Sequence, residues 1–243
     1  ISKDPLLIGE LLRLANSPFY GFSHQVSTIQ QVVSLLGVSN IKNVILANSI
    51  KSNFSIDVSP YGLDTAFFLT NCSNEVDFIS TWLHEEDKHL ANELVPCAML
   101  LRLGMILLAN MLIKSGKDKE FLNQNKEQNF QNVSELENQY CGIDHVSFLG
   151  TLFDHWKFDE RLIQSIAHIE NPHAASQEIK KNAYALAVTN CLFEPYHPLS
   201  PFNSKKSIAL INEATNQGID FNMGNFLAKL PQTAKDNLMK DND

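Results

Sequence analysis

From Asp4 to Gly37 the chain reads DPLLIGELLRLANSPFYGFSHQVSTIQQVVSLLG, two helical patterns joined by a tight aromatic connection. Asp4-Pro5 has the form of a helix start, because proline fits the first helical position, where its missing N–H costs nothing. Leu7, Leu11, Leu12 and Leu14 supply an apolar side at helical spacing. Asn16-Ser17-Pro18 ends that helix, since the residue before a proline avoids the α region. Phe19-Tyr20-Gly21 makes the turn. Ser27 is placed to cap a second helix carrying Ile29, Val32, Val33 and Leu36, closed by Gly37. No convincing strand alternation follows anywhere in the chain, so the expected fold class is all-α.

A third helical pattern runs from Ser39-Asn40 to about Phe54, and Ser55 to Gly62 carries the punctuation of a connection. The expected division is a first helical part over residues 1–58, a bundle over 59–198 and a helical tail over 199–243. Within the bundle, helices are expected over Asp64–Leu83, over Leu90–Ile113 with a break near Pro96, and over Val133–Tyr140. The polar run Lys117–Asn132 reads as a mobile loop or an exposed helix. Cys141 to Asp144 forms a turn and cap, followed by an apolar stripe of Val146, Leu149, Phe153 and Trp156. Asp159 caps the next helix, Asn171-Pro172 stops it, and Ile179–Phe193 is helical again. Pro195, Pro198 and Pro201 mark the boundary before the tail.

The net charge of −8 disfavours nonspecific binding to nucleic acid. Lys180-Lys181 and Lys205-Lys206 read as solvated helix ends, so no nucleic-acid partner is expected. Cys72, Cys97, Cys141 and Cys191 are widely spaced with no C-x-x-C, which points to buried free thiols in a reducing, cytoplasmic setting. Leu94 to Ile113 has the length of a membrane span, but Arg102 near its middle and Pro96 and Asn110 within it argue for a buried core helix. The first residue is Ile1 rather than Met, so the chain is expected to be a fragment whose true start is missing.

The order and spacing of Asp4-Pro5-Leu6, Leu12, Ala15-Asn16-Ser17, Tyr20-Gly21, Ile29 and Leu36-Gly37 resemble the HDOD family, bacterial signalling domains related to the HD phosphohydrolases. The resemblance extends to about residue 195. It implies an N-terminal helical subdomain packed on an HD-like bundle. HD phosphohydrolases hold a divalent metal with His, His-Asp and Asp from neighbouring helices, so that a metal-bound water can attack phosphorus. Their defining word is G-L-L-H-D-I-G. The matching stretch here is Ala98-Met99-Leu100-Leu101-Arg102-Leu103-Gly104, with Leu101-Arg102 in place of the His-Asp pair. The first histidine position aligns with Thr70 and the last aspartate falls near Asn190. Further on, Gly142-Ile143-Asp144-His145, Gly150, Leu152, Trp156 and Ile166 resemble the family's wording, but its His-His-x-Pro is replaced by Ile169-Glu170-Asn171-Pro172, with His168 one place early.

The resemblance therefore implies no catalytic residue, no metal and no cofactor. Arg102, buried among apolar residues, needs an anion, either a carboxylate or a bound phosphate. Asp144 reads as a helix cap and His145 as an imidazole bonded to a nearby helix, with a ligand contact as the alternative. His168 belongs with them as a candidate contact. Asn16 and Ser17 are read as bonding exposed backbone at a helix end, or as functional. His84 and His89 lie on a charged, solvated stretch. The resulting expectation is a non-catalytic regulatory domain with an unidentified signalling protein as partner in trans, an anionic small ligand as a further option, and self-association left open. A divergent metal-dependent phosphohydrolase acting on nucleotides or cyclic dinucleotides is the alternative.

Overall fold

The computed structural model describes residues 15–16, 26–27, 31–37, 41, 56–98, 100–156, 158–195 and 202–240. The chain forms two compact units, Ile1–Ser55 and Ile56–Asp243. Every element among the described residues is helical.

In the first unit, residues 31–37 are helical and end at Gly37, whose φ of 77° suits a glycine stop. Ala15, Val26, Val32, Leu36 and Ile41 are buried. The Asn16 amide donates to the Val26 carbonyl (2.7 Å) and its oxygen accepts from the Val26 N–H (2.8 Å). Asn16 thus pins the far end of the connection. Ser27 and Gln31 bond each other at the next helix, the Ser27 N–H donating to Gln31 Oε1 (3.0 Å). Asp4-Pro5, Ser17, Tyr20-Gly21 and Ile29 lie outside the described residues.

The second unit runs through α1 (Thr65–Glu86), α2 (Lys88–Ala98), α3 (Leu103–Lys114), α4 (Asp118–Glu127), α5 (Val133–Cys141), α6 (His145–His155), α7 (Glu160–Ala167), α8 (Lys180–Leu192), α9 (Ser204–Asn216), α10 (Met223–Lys229) and α11 (Gln232–Lys240). Its axis is α8, buried without a break from Asn182 to Thr189. A helix covered on every side lies in the core; here α1, α2, α7 and α9 surround it. The helices of residues 202–240 fall within this unit. Phe226 of α10 meets the Trp82 ring of α1 edge-on at 5.5 Å.

Two corrections to the sequence reading concern helix boundaries. α1 continues through His84 and Glu86, and the kink falls at Asp87, whose side chain accepts from the His89 and Leu90 N–H groups and starts α2. Pro96 sits inside α2, and the break comes at residues 100–102. There Leu100, Leu101 and Leu103 donate to carbonyls three residues back, the bonding of a tight turn. The long apolar run is thereby split, and no described helix is long and apolar enough to cross a membrane.

Of the two readings of Lys117–Asn132, a mobile loop or an exposed helix, the structure gives the helix, α4, on which only Phe121 and Asn125 are buried. α4 buries Phe121 completely, edge-on to Tyr61 at 5.3 Å and to Tyr140 at 5.6 Å. Phe121, with Phe130 packed partly buried against the same cluster, holds an otherwise mostly polar segment on the core. Of the cysteines, Cys97 and Cys191 are buried and Cys72 and Cys141 half-buried; none forms a disulfide.

Candidate functional site

Arg102 ends the turn between α2 and α3. Its guanidinium runs back into the bundle and is 4% exposed. Nε and Nη2 donate to the two oxygens of Glu75 on α1, at 2.9 and 2.8 Å. Nη1 donates to Asn190 Oδ1 and Nη2 to the Asn190 carbonyl, both at 2.9 Å. Asn190 lies in the last turn of α8, where carbonyls lack partners within the helix and favour a cation. Asn71 of α1 covers a second such carbonyl, its amide donating to Phe193 at 2.8 Å.

Glu75 is completely buried. Burial pushes its carboxyl up to about 7, against the opposing pull of Arg102. Thr70, aligned with the first HD histidine, is exposed and donates to the Ala66 carbonyl. The residue of α1 that reaches Arg102 is Glu75, one helical face away. Asn190, near which the last HD aspartate is expected to fall, does meet Arg102.

The second cluster surrounds the start of α6. Asp144 caps it, its carboxylate accepting from the Val146 N–H (3.0 Å), the Ser147 N–H (2.8 Å) and the Ser147 hydroxyl (2.6 Å). Those bonds hold the Asp144 carboxyl below its ordinary value although burial works against them. His145 is buried. Both its backbone N–H (2.9 Å) and its ring Nδ1 (2.7 Å) lie on Glu137 Oε2 of α5. The Tyr61 hydroxyl donates to the other Glu137 oxygen at 2.6 Å. A carboxylate at Nδ1 assigns the ring proton there.

Gly104 lies between the clusters. A Cβ added to it would stand 2.0 Å from the His145 carbonyl oxygen. Only glycine lets α3 and α6 approach this closely. A cleft of about 380 Å³ opens over both clusters, lined by Arg102, His145, Asn190, Ser134 and Lys206 among others. Three glutamates, Glu135, Glu170 and Glu194, also line it.

The remaining candidates lie elsewhere. His168 caps the end of α7, half-buried, with Nδ1 2.7 Å from the Gln164 carbonyl, and does not line the cleft. Asn16 belongs to the first unit, and Ser17 is outside the described residues. His84 and His89 are exposed. The sequence reading missed Glu75, Glu137 and Tyr61.

The model of the HDOD domain family matches residues 1–172. The chain belongs to the HDOD family. Among solved structures, the HDOD chain is similar to a virulence factor from Campylobacter jejuni subsp. jejuni, with 53% identity over 98% of this chain and 83% of that one, and a TM-score of 0.73. It shares its fold with a candidate phosphohydrolase from Shewanella amazonensis SB2B at 22% identity, covering 96% of this chain and 82% of that one, TM-score 0.62. It does so too with an HDOD domain protein of unknown function from Geobacter sulfurreducens at 16% identity, covering 98% and 80%, TM-score 0.54. No curated protein matches.

HD-type chemistry requires a divalent ion, and the residues present do not fit one. Leu101 is apolar and buried, Arg102 is a fixed cation, and both oxygens of Glu75 are engaged by that cation. A dication beside a guanidinium in a poorly solvated interior is repelled. Among the described residues no group of three or more His, Cys, Asp or Glu could hold a metal.

Proposed function

We propose that this HDOD chain is a non-catalytic regulatory domain of bacterial signal transduction, acting in the cytoplasm through contact with a protein partner. The observation that carries this reading is the Arg102 guanidinium, seated between Glu75 and Asn190 at the position of an HD metal ligand. The chemistry of hydrolysis needs an ionised water, and this donor set supplies no group to generate one. The bacterial sources of the similar structures support the setting. Exposed apolar side chains that would suit a protein partner include Phe67 and Leu69 on α1 and Met111 on α3.

Two measurements test the proposal. Purified protein is incubated with nucleoside triphosphates and cyclic dinucleotides in Mg²⁺ or Mn²⁺, and released phosphate and cleaved products are followed. The expected result is no turnover above buffer; turnover that scales with protein and stops on chelation overturns the reading. The intact chain is then used for affinity capture, and each recovered protein is purified and remixed on a sizing column. A stable co-eluting complex is expected, and failure of every recovered protein to co-elute counts against a partner in trans.

A further inference from the structure

Four oxygens converge on the Arg102 guanidinium: both carboxylate oxygens of Glu75, the side-chain oxygen of Asn190 and the Asn190 carbonyl, all 2.8 to 2.9 Å from its nitrogens. They come from two helices, α1 and α8, and the guanidinium itself is anchored at the start of α3. An all-oxygen set with one buried carboxylate is what a hard divalent cation takes as ligands. Here a covalently attached monocation sits at its centre. The donor fork matches a carboxylate on two bonds and leaves donors for the helix end.

We infer that the Arg102 guanidinium replaces a divalent ion as the brace of this bundle, so that the fold is set without metal and the oxygens of Glu75 and Asn190 become a cation site only when the guanidinium is removed. The consequence for function is that chelators and divalent ions have no hold on this domain's conformation. This goes beyond the lack of catalysis, because a domain without turnover could still require an ion to fold. Failure of the two readings is distinguishable: phosphate release tests the one and thermal melting the other.

The test is thermal melting of the full chain by circular dichroism, with EDTA, Mg²⁺ or Mn²⁺ added. The unmodified protein is expected to melt at the same temperature in all three, within about 1 °C, since a ligand that does not bind the folded state cannot stabilise it. Arg102→Asp removes the brace and adds a carboxylate beside Glu75. Its melting temperature in EDTA should fall by about 10 °C, and saturating Mn²⁺ should restore at least half of the loss. A chelator that lowers the melting temperature of the unmodified protein overturns the inference. So does Arg102→Asp that Mn²⁺ fails to raise, or that stays unfolded in Mn²⁺. A second comparison does not depend on that variant folding. Arg102→Met combined with Glu75→Met should melt higher than Arg102→Met alone and ignore Mn²⁺. A paired variant no more stable than the single one shows that the guanidinium does not act by neutralising Glu75, and overturns the inference by that route.

Discussion

Glu75 and Glu137 are both completely buried, each against a basic side chain, yet the two sites are built differently. Around Glu75, side chains do most of the work: its Arg102 partner joins three helices, and that partner's charge is permanent. Around Glu137, backbone takes a share: one oxygen holds both the ring and the main-chain N–H of His145, while Tyr61 holds the other. The first site is a charge balance that fails if one member goes. The second is a set of hydrogen bonds that can lose one member and keep the rest. Both stand over the same cleft, so the difference shows which side of it is rigidly specified by charge.

The most severe break of the comparison is Arg102→Leu. It strands a buried carboxylate, and denaturant unfolding should show a loss of about 3–5 kcal/mol. A loss below 1 kcal/mol would remove the distinction between the sites. Gly104→Ala strikes the seam between them, where a Cβ meets the His145 carbonyl. Overpacking against backbone should cost about 2–3 kcal/mol, and an unchanged midpoint would mean that α3 and α6 separate freely. Tyr61→Phe removes one bond to Glu137 and keeps the ring contact with Phe121, with an expected loss of about 1–1.5 kcal/mol. Stability also depends on pH through Glu75. A carboxyl raised above its ordinary 4.5 to about 7 holds more protons in the folded than in the unfolded chain. The stability that Glu75 contributes is thus full below pH 4.5 and is lost as pH rises through 7. Glu75→Gln should flatten that part of the stability profile, and an unaltered slope would place the proton uptake on another group.

The helical class, the Asp144 and Asp159 caps and the Leu101-Arg102 replacement were legible in the sequence because each is local. A cap needs only its own next turn, and the replacement needs only the glycine that anchors the alignment. Glu75 and Glu137 were missed because a glutamate in a polar neighbourhood reads as solvated. A signal was present in both cases. Phe68, Asn71, Phe78, Ile79 and Trp82 make the buried face of α1, and Glu75 sits on it, seven residues from both Phe68 and Trp82. Glu137 sits beside Leu136 and four residues after Val133 on the buried face of α5. An acid on an apolar stripe must have a partner, and the Arg102 that needed an anion was the matching half. For Lys117–Asn132 the sequence left a loop and an exposed helix both open, because the buried side of α4 is only Phe121 and Asn125.

The bonds between Arg102 and Asn190 span 88 positions of chain. Contacts of such long sequence separation demand that most of the intervening polypeptide be ordered first. The guanidinium is therefore expected to find its place after α8 has docked, so that Arg102→Leu should speed unfolding more than it slows folding when both rates are followed by stopped flow. On that order of events it is the lifetime of the assembled bundle, more than its speed of assembly, that this arginine should govern.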